Sequence, residues 1–172
     1  MPELIPVLSK EKINQMVSDV AKRISSNYKG RDLVLIGVLK GAFVFLSDLL
    51  RHITIPVKVD FIQISSYGAA TNSSEKIRLT KGVEIDLKNM DVLIVEDIVD
   101  TGLSIKFIKD YLASLDPLSI KVCSLLDKME RRKEHCTIDY VCCSVEEGFL
   151  VGYGLDYAEK YRNLPEIYHL KL

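Results

Sequence analysis

The 172-residue chain has no hydrophobic run approaching the roughly 18 residues that a membrane-spanning helix needs. Its first residues contain no apolar segment of the signal-peptide kind. A soluble protein of the cytoplasm is therefore expected. The formal net charge is only −1, which excludes a nucleic-acid surface driven by bulk positive charge. The basic run Lys128, Arg131, Arg132 and Lys133 reads as a solvated loop. Cys123, Cys136, Cys142 and Cys143 follow no zinc spacing and include no Cys-x-x-Cys, so reduced, partly buried thiols are expected. His52, His135 and His169 lack partners at helical spacing, and none claims a catalytic role. There is no Gly-x-x-x-x-Gly-Lys pattern, which excludes a nucleoside-triphosphate P-loop. Internal repeats, low-complexity tracts and interdomain linkers are missing too. With 48% hydrophobic residues, the chain reads as one domain, 1–172, with a full core.

What is present is concentrated between Val92 and Ser104. Val92 to Val95 is an apolar, mostly β-branched run of the kind found in buried parallel strands. It leads into Glu96 and Asp97, then into a turn written Asp100-Thr101-Gly102-Leu103-Ser104, then into a helical pattern from Ile105 to Leu115. The start of that helix offers free N–H groups and a positive dipole end to an anion. Gly102 lets the backbone approach a phosphate, and the Thr101 and Ser104 hydroxyls can donate to its oxygens. Two acids beside such a cradle would repel a phosphate unless they served another group. Glu96 and Asp97 suit the cis hydroxyls of a ribose, directly or through a divalent cation. Asp100 lies between sugar and phosphate, where a base is needed.

The rest of the pattern alternates strands and helices. Ile13, Met16, Val17, Val20, Ala21 and Ile24 form one helical stripe within Ser9 to Tyr28, stopped by Gly30. Strands are expected at 33–38, 57–65, 92–95, 120–126 and 138–143, with a short extended piece at 149–153. A helix is expected to run to about Arg51, and Tyr157 to Arg162 also looks helical. The polar segment from Ser66 to Lys76 has no apolar period and reads as a mobile loop. This alternation gives an α/β fold with a parallel sheet covered on both faces, whose ligands bind at the carboxyl ends of the strands. The loops at Leu39-Lys40-Gly41, Ser66-Tyr67, 96–104 and Lys128 should meet there.

Four separated motifs in this order, Leu39-Lys40-Gly41, Ser66-Tyr67, Val92 to Ser104, and Val151 to Tyr157 with Arg162, resemble the type I phosphoribosyltransferases, and among them the hypoxanthine-guanine branch. The resemblance covers almost the full chain. It implies the type I fold, with a core at about 30–145 and a small hood from the N-terminal residues and about 146–172. It also implies purine salvage: transfer of phosphoribosyl from phosphoribosyl pyrophosphate to hypoxanthine or guanine, with Mg2+, in a homodimer or homotetramer.

By the same resemblance Glu96, Asp97, Asp100, Thr101, Gly102, Leu103 and Ser104 hold the ribose phosphate, and Asp100 is the candidate catalytic acceptor of the purine proton, or else orients the purine by hydrogen bonding. Lys40, Gly41 and Arg162 bind pyrophosphate, with a cis peptide between Leu39 and Lys40. Lys128 donates to the purine O6, Phe149 stacks on the ring, Leu150 offers its backbone to the base edge, and Asp156 also lies on the purine side. Glu96, Asp97 and Asp156 face the metal, and Ser66 and Tyr67 belong to a lid. Leu103 replaces the lysine or other polar residue common in the family, which throws the phosphate cradle onto backbone amides and hydroxyls. The segment Glu130 to His135 is short and charged, so the connection on the base side is expected to differ from better-known members. Two other readings stand beside this one: a xanthine- or adenine-using enzyme of the same fold, and an RNA-binding regulator built on it. Lys128 counts against adenine, and the charge balance counts against RNA.

Overall fold

The computed structural model describes residues 2–67 and 76–171. Six strands form the main sheet in the order β4-β3-β2-β5-β6-β7. β2 (Leu33–Leu39), β3 (Val57–Tyr67), β5 (Asp91–Val99), β6 (Ser119–Lys128) and β7 (Tyr140–Val145) run parallel. β4 (Lys76–Lys81) pairs antiparallel with β3 at the edge, so the sheet is mixed rather than wholly parallel as expected. In β4 Ile77 and Leu79 alternate with exposed Lys76, Arg78 and Thr80, the period-two signature of a half-covered strand.

The central strands are apolar on both sides because helices cover both faces. Leu33, Leu35, Leu93 and Val95 join one core cluster with helix α1 (Lys10–Asn27) and helix α2 (Phe43–His52). Val34, Ile36, Val92 and Ile94 join the other, with Ile108 and Leu112 of helix α3 (Leu103–Ala113). The α1 stripe is buried as its spacing requires, and the Ser9 hydroxyl caps the helix by accepting from Lys12 N at 3.2 Å.

A second, three-stranded sheet joins the two ends of the chain: β1 (Glu3–Leu8), β9 (Ile167–Lys171) and β8 (Leu150–Val151). The sequence reading assigned no strand to 3–8 or 167–171. Pro6 stands in β1 at the edge of this sheet beside a register shift, where a missing N–H is tolerated. Leu150, Tyr153, Leu155 and Ile167 reach into the α1–α2 core cluster and fasten the small sheet to the main body.

Three local expectations are corrected. Glu96 and Asp97 belong to β5, which continues to Val99 in register with Asp127 of β6, so the acids lie inside the strand rather than just beyond an end at Val95. Ser66 and Tyr67 continue β3 and pair with Ile77 and Lys76, so the stretch expected as a loop begins and ends as a hairpin; residues 68–75 lie outside the described residues. Tyr157 to Arg162 is not helical: Ala158, Glu159 and Tyr161 have φ of 51°, 62° and 77°, and a right-handed helix cannot pass through them. All four cysteines are free thiols, and burial pushes Cys142 up to about 12. Among the described residues no helix is long and apolar enough to cross a membrane.

Candidate active site

The carboxyl ends of β2, β5 and β6 bring three of the sequence motifs to one edge. The Leu39–Lys40 peptide that follows β2 is cis. Immediately after it, Gly41 lies flat against the strand acids: a Cβ at Gly41 would overlap the Asp97 carboxylate. On its other side, a Cβ at Gly154 would overlap the Gly41 carbonyl oxygen. The Gly41 and Gly154 backbones and the Asp97 carboxylate therefore meet with no room for a side chain at either glycine. Gly154 itself has φ of 97°.

Glu96 and Asp97 are buried neighbours. Glu96 Oε1 accepts from Asp97 N at 3.0 Å, and Asp97 Oδ1 accepts from Ile98 N at 2.7 Å. Burial holds the Glu96 carboxyl well above its usual range, with the Asp97 charge adding to the effect, and burial raises Asp97 too. Two carboxyl groups kept out of water are costly, and among the described residues neither forms an ion pair, although the Arg162 charge favours ionised Asp97. Perturbed, buried carboxyls at a strand end are the pattern of a ligand site.

Beyond them the chain turns through Asp100, Thr101 and Gly102 into α3. Gly102 has φ of 84°, and a Cβ there would press on the Glu134 carbonyl at 2.7 Å. Thr101 Oγ1 accepts from Leu103 N at 3.3 Å, which leaves the hydroxyl proton free to donate outward. Glu96 to Gly102, Ser104 and Ile105 enclose a cavity of about 230 Å³. A larger cavity of about 490 Å³ adjoins it, lined among others by Ile98, Asp100, Lys128, Phe149, Leu150 and Asp156. Asp97, Ile98 and Asp100 stand on both linings, so the two spaces share a wall.

Lys128 ends β6 with its side chain only 10% exposed, and its Nζ meets Glu130 Oε2 at 3.2 Å. Phe149 is half exposed and meets Tyr157 edge to face at 5.6 Å, so it is an open ring face rather than a core phenylalanine. Asp156 faces Arg162 at 3.0 Å and accepts from Glu159 N at 2.9 Å. Arg162 also donates to Gly154 O at 2.8 Å, which places it in the turn carrying Gly154 rather than loose on the surface. Lys40 meets Glu159 at 3.0 Å. Tyr67 is half exposed at the end of β3, with Arg78 over its ring at 5.8 Å, and lines neither cavity.

The basic run is solvated only in part: Arg131 and Lys133 are exposed, whereas Lys128 and Arg132 are drawn in. Arg132 is 13% exposed in its side chain and pairs with Asp127, and it donates to Asp100 O at 2.8 Å and to Val99 O and Lys128 O at 3.3 Å. Arg131 pairs with Asp100 Oδ2 at 2.5 Å. Lys133 N and Glu134 N both donate to Thr101 O, at 2.9 and 3.0 Å. Asp127, Glu130, Arg131, Arg132, Gly154 and Glu159 are thus participants that sequence reasoning did not place. The charge of the 130–135 segment is plain in the sequence, but nothing local shows that a guanidinium will turn inward onto backbone carbonyls.

Residues 7–158 match the model of the phosphoribosyl transferase domain. The chain belongs to this phosphoribosyltransferase family. A hypoxanthine-guanine phosphoribosyltransferase of Aquifex aeolicus is 47% identical over 163 residues, covering 94% of this chain and 92% of that one. One from Mycobacterium avium is 42% identical over 167 residues, covering 94% and 82%. Among solved structures, a Bacillus anthracis hypoxanthine-guanine phosphoribosyltransferase superposes with a TM-score of 0.92 at 41% identity, covering 99% of this phosphoribosyltransferase and all of that chain.

Proposed function

We propose that this protein is a purine-salvage hypoxanthine/guanine phosphoribosyltransferase, making IMP or GMP and pyrophosphate from phosphoribosyl pyrophosphate and a 6-oxopurine. The observation that carries this reading is the position of Asp100 on the wall between the two cavities. One cavity has the strand acids and a helix start for a ribose phosphate. The other has an aromatic face and a buried ammonium for a flat heterocycle.

In this reading Thr101 to Ser104 hold the 5′-phosphate through backbone N–H groups and hydroxyls. Glu96 and Asp97 take the ribose hydroxyls. Lys40, Gly41 and Arg162 receive the pyrophosphate, and Ser66 and Tyr67 close over the site to keep water from the activated sugar. Lys128 has donors only, so it matches the O6 acceptor of hypoxanthine or guanine and opposes the amino group of adenine. Phe149 and Ile98 flank the ring, and Leu150 presents its backbone to the base edge. N9 attacks C1′ as the bond from C1′ to the pyrophosphate oxygen breaks, and that oxygen keeps the electron pair. The proton on N7 passes to Asp100.

The donor set suits magnesium. Among the described residues no three metal-ligating side chains converge, and Mg2+ usually takes only one or two protein carboxylates, with phosphates and water completing its shell. Glu96 and Asp97 would hold an ion with the ribose hydroxyls, and Asp156 one with the pyrophosphate. Such ions supply neutralisation of the charge that gathers on the leaving group.

The test is Asp100→Asn. A lost general base costs about 10²–10⁴-fold, so kcat should fall in that range while phosphoribosyl pyrophosphate affinity changes little. Full kcat would remove Asp100 from proton transfer. Loss of phosphoribosyl pyrophosphate binding would assign Asp100 to the sugar-phosphate cradle instead.

A further inference from the structure

Asp100 is gripped twice by consecutive residues of the loop after β6. Arg132 holds its main chain, donating from Nε to Asp100 O at 2.8 Å. Arg131 holds its side chain, and its Nε and Nη2 both donate to Asp100 Oδ2, at 3.1 and 2.5 Å. The two grips differ in kind. The main chain from 99 to 101 is also fixed by Arg132 on Val99 O and by Lys133 N and Glu134 N on Thr101 O. The carboxylate is not fixed by any of these. An aspartate carboxyl rotates over a broad well about its last torsion, so only a partner on its own oxygens can set its orientation.

The surroundings make that orientation contested. The cavity that Asp100 lines also carries the ammonium of Lys128 and the carboxylates of Asp97, Glu130 and Asp156. Lys128 is the other cation on this lining, and a carboxylate released beside it would be drawn towards it. Purine-recognising donor and purine base would then consume one another. In the structure the charges are sorted otherwise: Lys128 pairs with Glu130 at 3.2 Å and Arg131 pairs with Asp100. Asp100 Oδ1 is buried and has no hydrogen-bond partner among the described residues, so the contacts of Arg131 on Oδ2 are the ones that orient the carboxylate.

We infer that Arg131 is a positioning residue for the reaction: it holds Asp100 Oδ2, keeps the carboxylate off Lys128 and so sets the orientation from which the carboxylate accepts the purine proton. This inference rests on the reading of Asp100 as the proton acceptor. Arg131 itself is 65% exposed in its side chain, so replacing it leaves the core and the two sheets untouched.

The experiment is a double-mutant cycle on the full-length protein with guanine, phosphoribosyl pyrophosphate and magnesium, using R131M, R131K, D100N and R131M with D100N together. Loss of a residue that orients a reactive group costs about 10–100-fold in activity, so R131M should lower kcat by that factor. The KM for phosphoribosyl pyrophosphate should stay within about threefold of wild type, because the lost contact acts through the base. R131K keeps the charge but not the fork and should recover part of the loss. In the D100N background R131M should change kcat less than about twofold, since the group it orients can no longer accept a proton. Wild-type kcat in R131M overturns the inference. So does an equal loss with and without Asp100, and so does a rise in the KM for phosphoribosyl pyrophosphate at unchanged kcat, which would mean a direct phosphate contact. D100N with wild-type kcat is a separate result: it removes the base reading itself.

Discussion

Lys40 and Glu159 form an ion pair across the mouth of the proposed pyrophosphate site, with Nζ 3.0 Å from Oε2. Glu159 also lies 3.4 Å from Arg162, so one carboxylate occupies both cations proposed to receive the pyrophosphate. The hydrogen bond and charge of Lys40 hold the Glu159 carboxyl below its usual range. It is therefore anionic throughout the neutral range and competes with pyrophosphate. The pair is solvent-exposed and correspondingly weak. Glu159→Gln should lower the KM for phosphoribosyl pyrophosphate by up to about fivefold and leave that for guanine unchanged. Steady-state kinetics at low salt decides this, and an increased KM would show that Glu159 orders the site rather than blocking it.

Glu96 makes the site costly to the fold. Its carboxyl is raised well above its ordinary value of 4.5, chiefly by burial. Between that value and the raised one, the folded state binds more protons than the unfolded state, so stability falls as pH rises through this window. Glu96→Gln removes the penalty. The variant should melt higher than wild type at pH 8, show a flatter dependence of Tm on pH above 4.5, and bind phosphoribosyl pyrophosphate less well. Thermal scans from pH 5 to 8 test this, and a variant less stable than wild type at pH 8 contradicts it.

Gly154 acts at a distance from any ligand. Because a Cβ there would overlap the Gly41 carbonyl, Gly154→Ala must move the Lys40-Gly41 turn or its own turn. A displacement near 1 Å can cost about 10²-fold in rate. Titration calorimetry should show weaker binding of phosphoribosyl pyrophosphate by Gly154→Ala. Unchanged affinity would mean that the two turns move apart freely.

Lys128 divides the substrates. Lys128→Ala removes a charged hydrogen bond to the base, about 1.5–3 kcal/mol, and should raise the KM for guanine and hypoxanthine roughly 10–100-fold. Phosphoribosyl pyrophosphate affinity should be unaffected. Equal loss for both substrates would make Lys128 structural, with its ion pair to Glu130 serving only to shape the 128–132 turn.

Much of this was legible because the chemistry-bearing residues lie at abrupt changes of pattern. Apolar Val92 to Val95 giving way to Glu96 and Asp97 marks a strand end facing a ligand, and it marks it even though β5 itself continues to Val99. The alternation in Lys76 to Lys81 was a readable strand signal hidden by the polar run before it. Other features have no local signature. Nothing in Tyr157 to Arg162 announces three non-glycine residues with positive φ, a conformation that the packing of the turn must impose. Arg131 and Arg132 look like any charged run, and the inward course of Arg132 and the grip of Arg131 on Asp100 depend on carbonyls and carboxylates supplied by β5, β6 and the turn after β5. The sequence motifs suggested the ligand class; the contacts of Arg131 and Arg132 on Asp100 appear only once the strand ends are assembled.

The most direct measurement is product formation by the purified protein with phosphoribosyl pyrophosphate, magnesium and one purine at a time, followed by absorbance with pyrophosphate release measured in parallel. Hypoxanthine and guanine should yield IMP and GMP with one pyrophosphate for each nucleotide, and chelating the magnesium should stop both. Adenine should yield almost nothing. No nucleotide from either 6-oxopurine, or AMP formed from adenine at a comparable rate, would contradict the account.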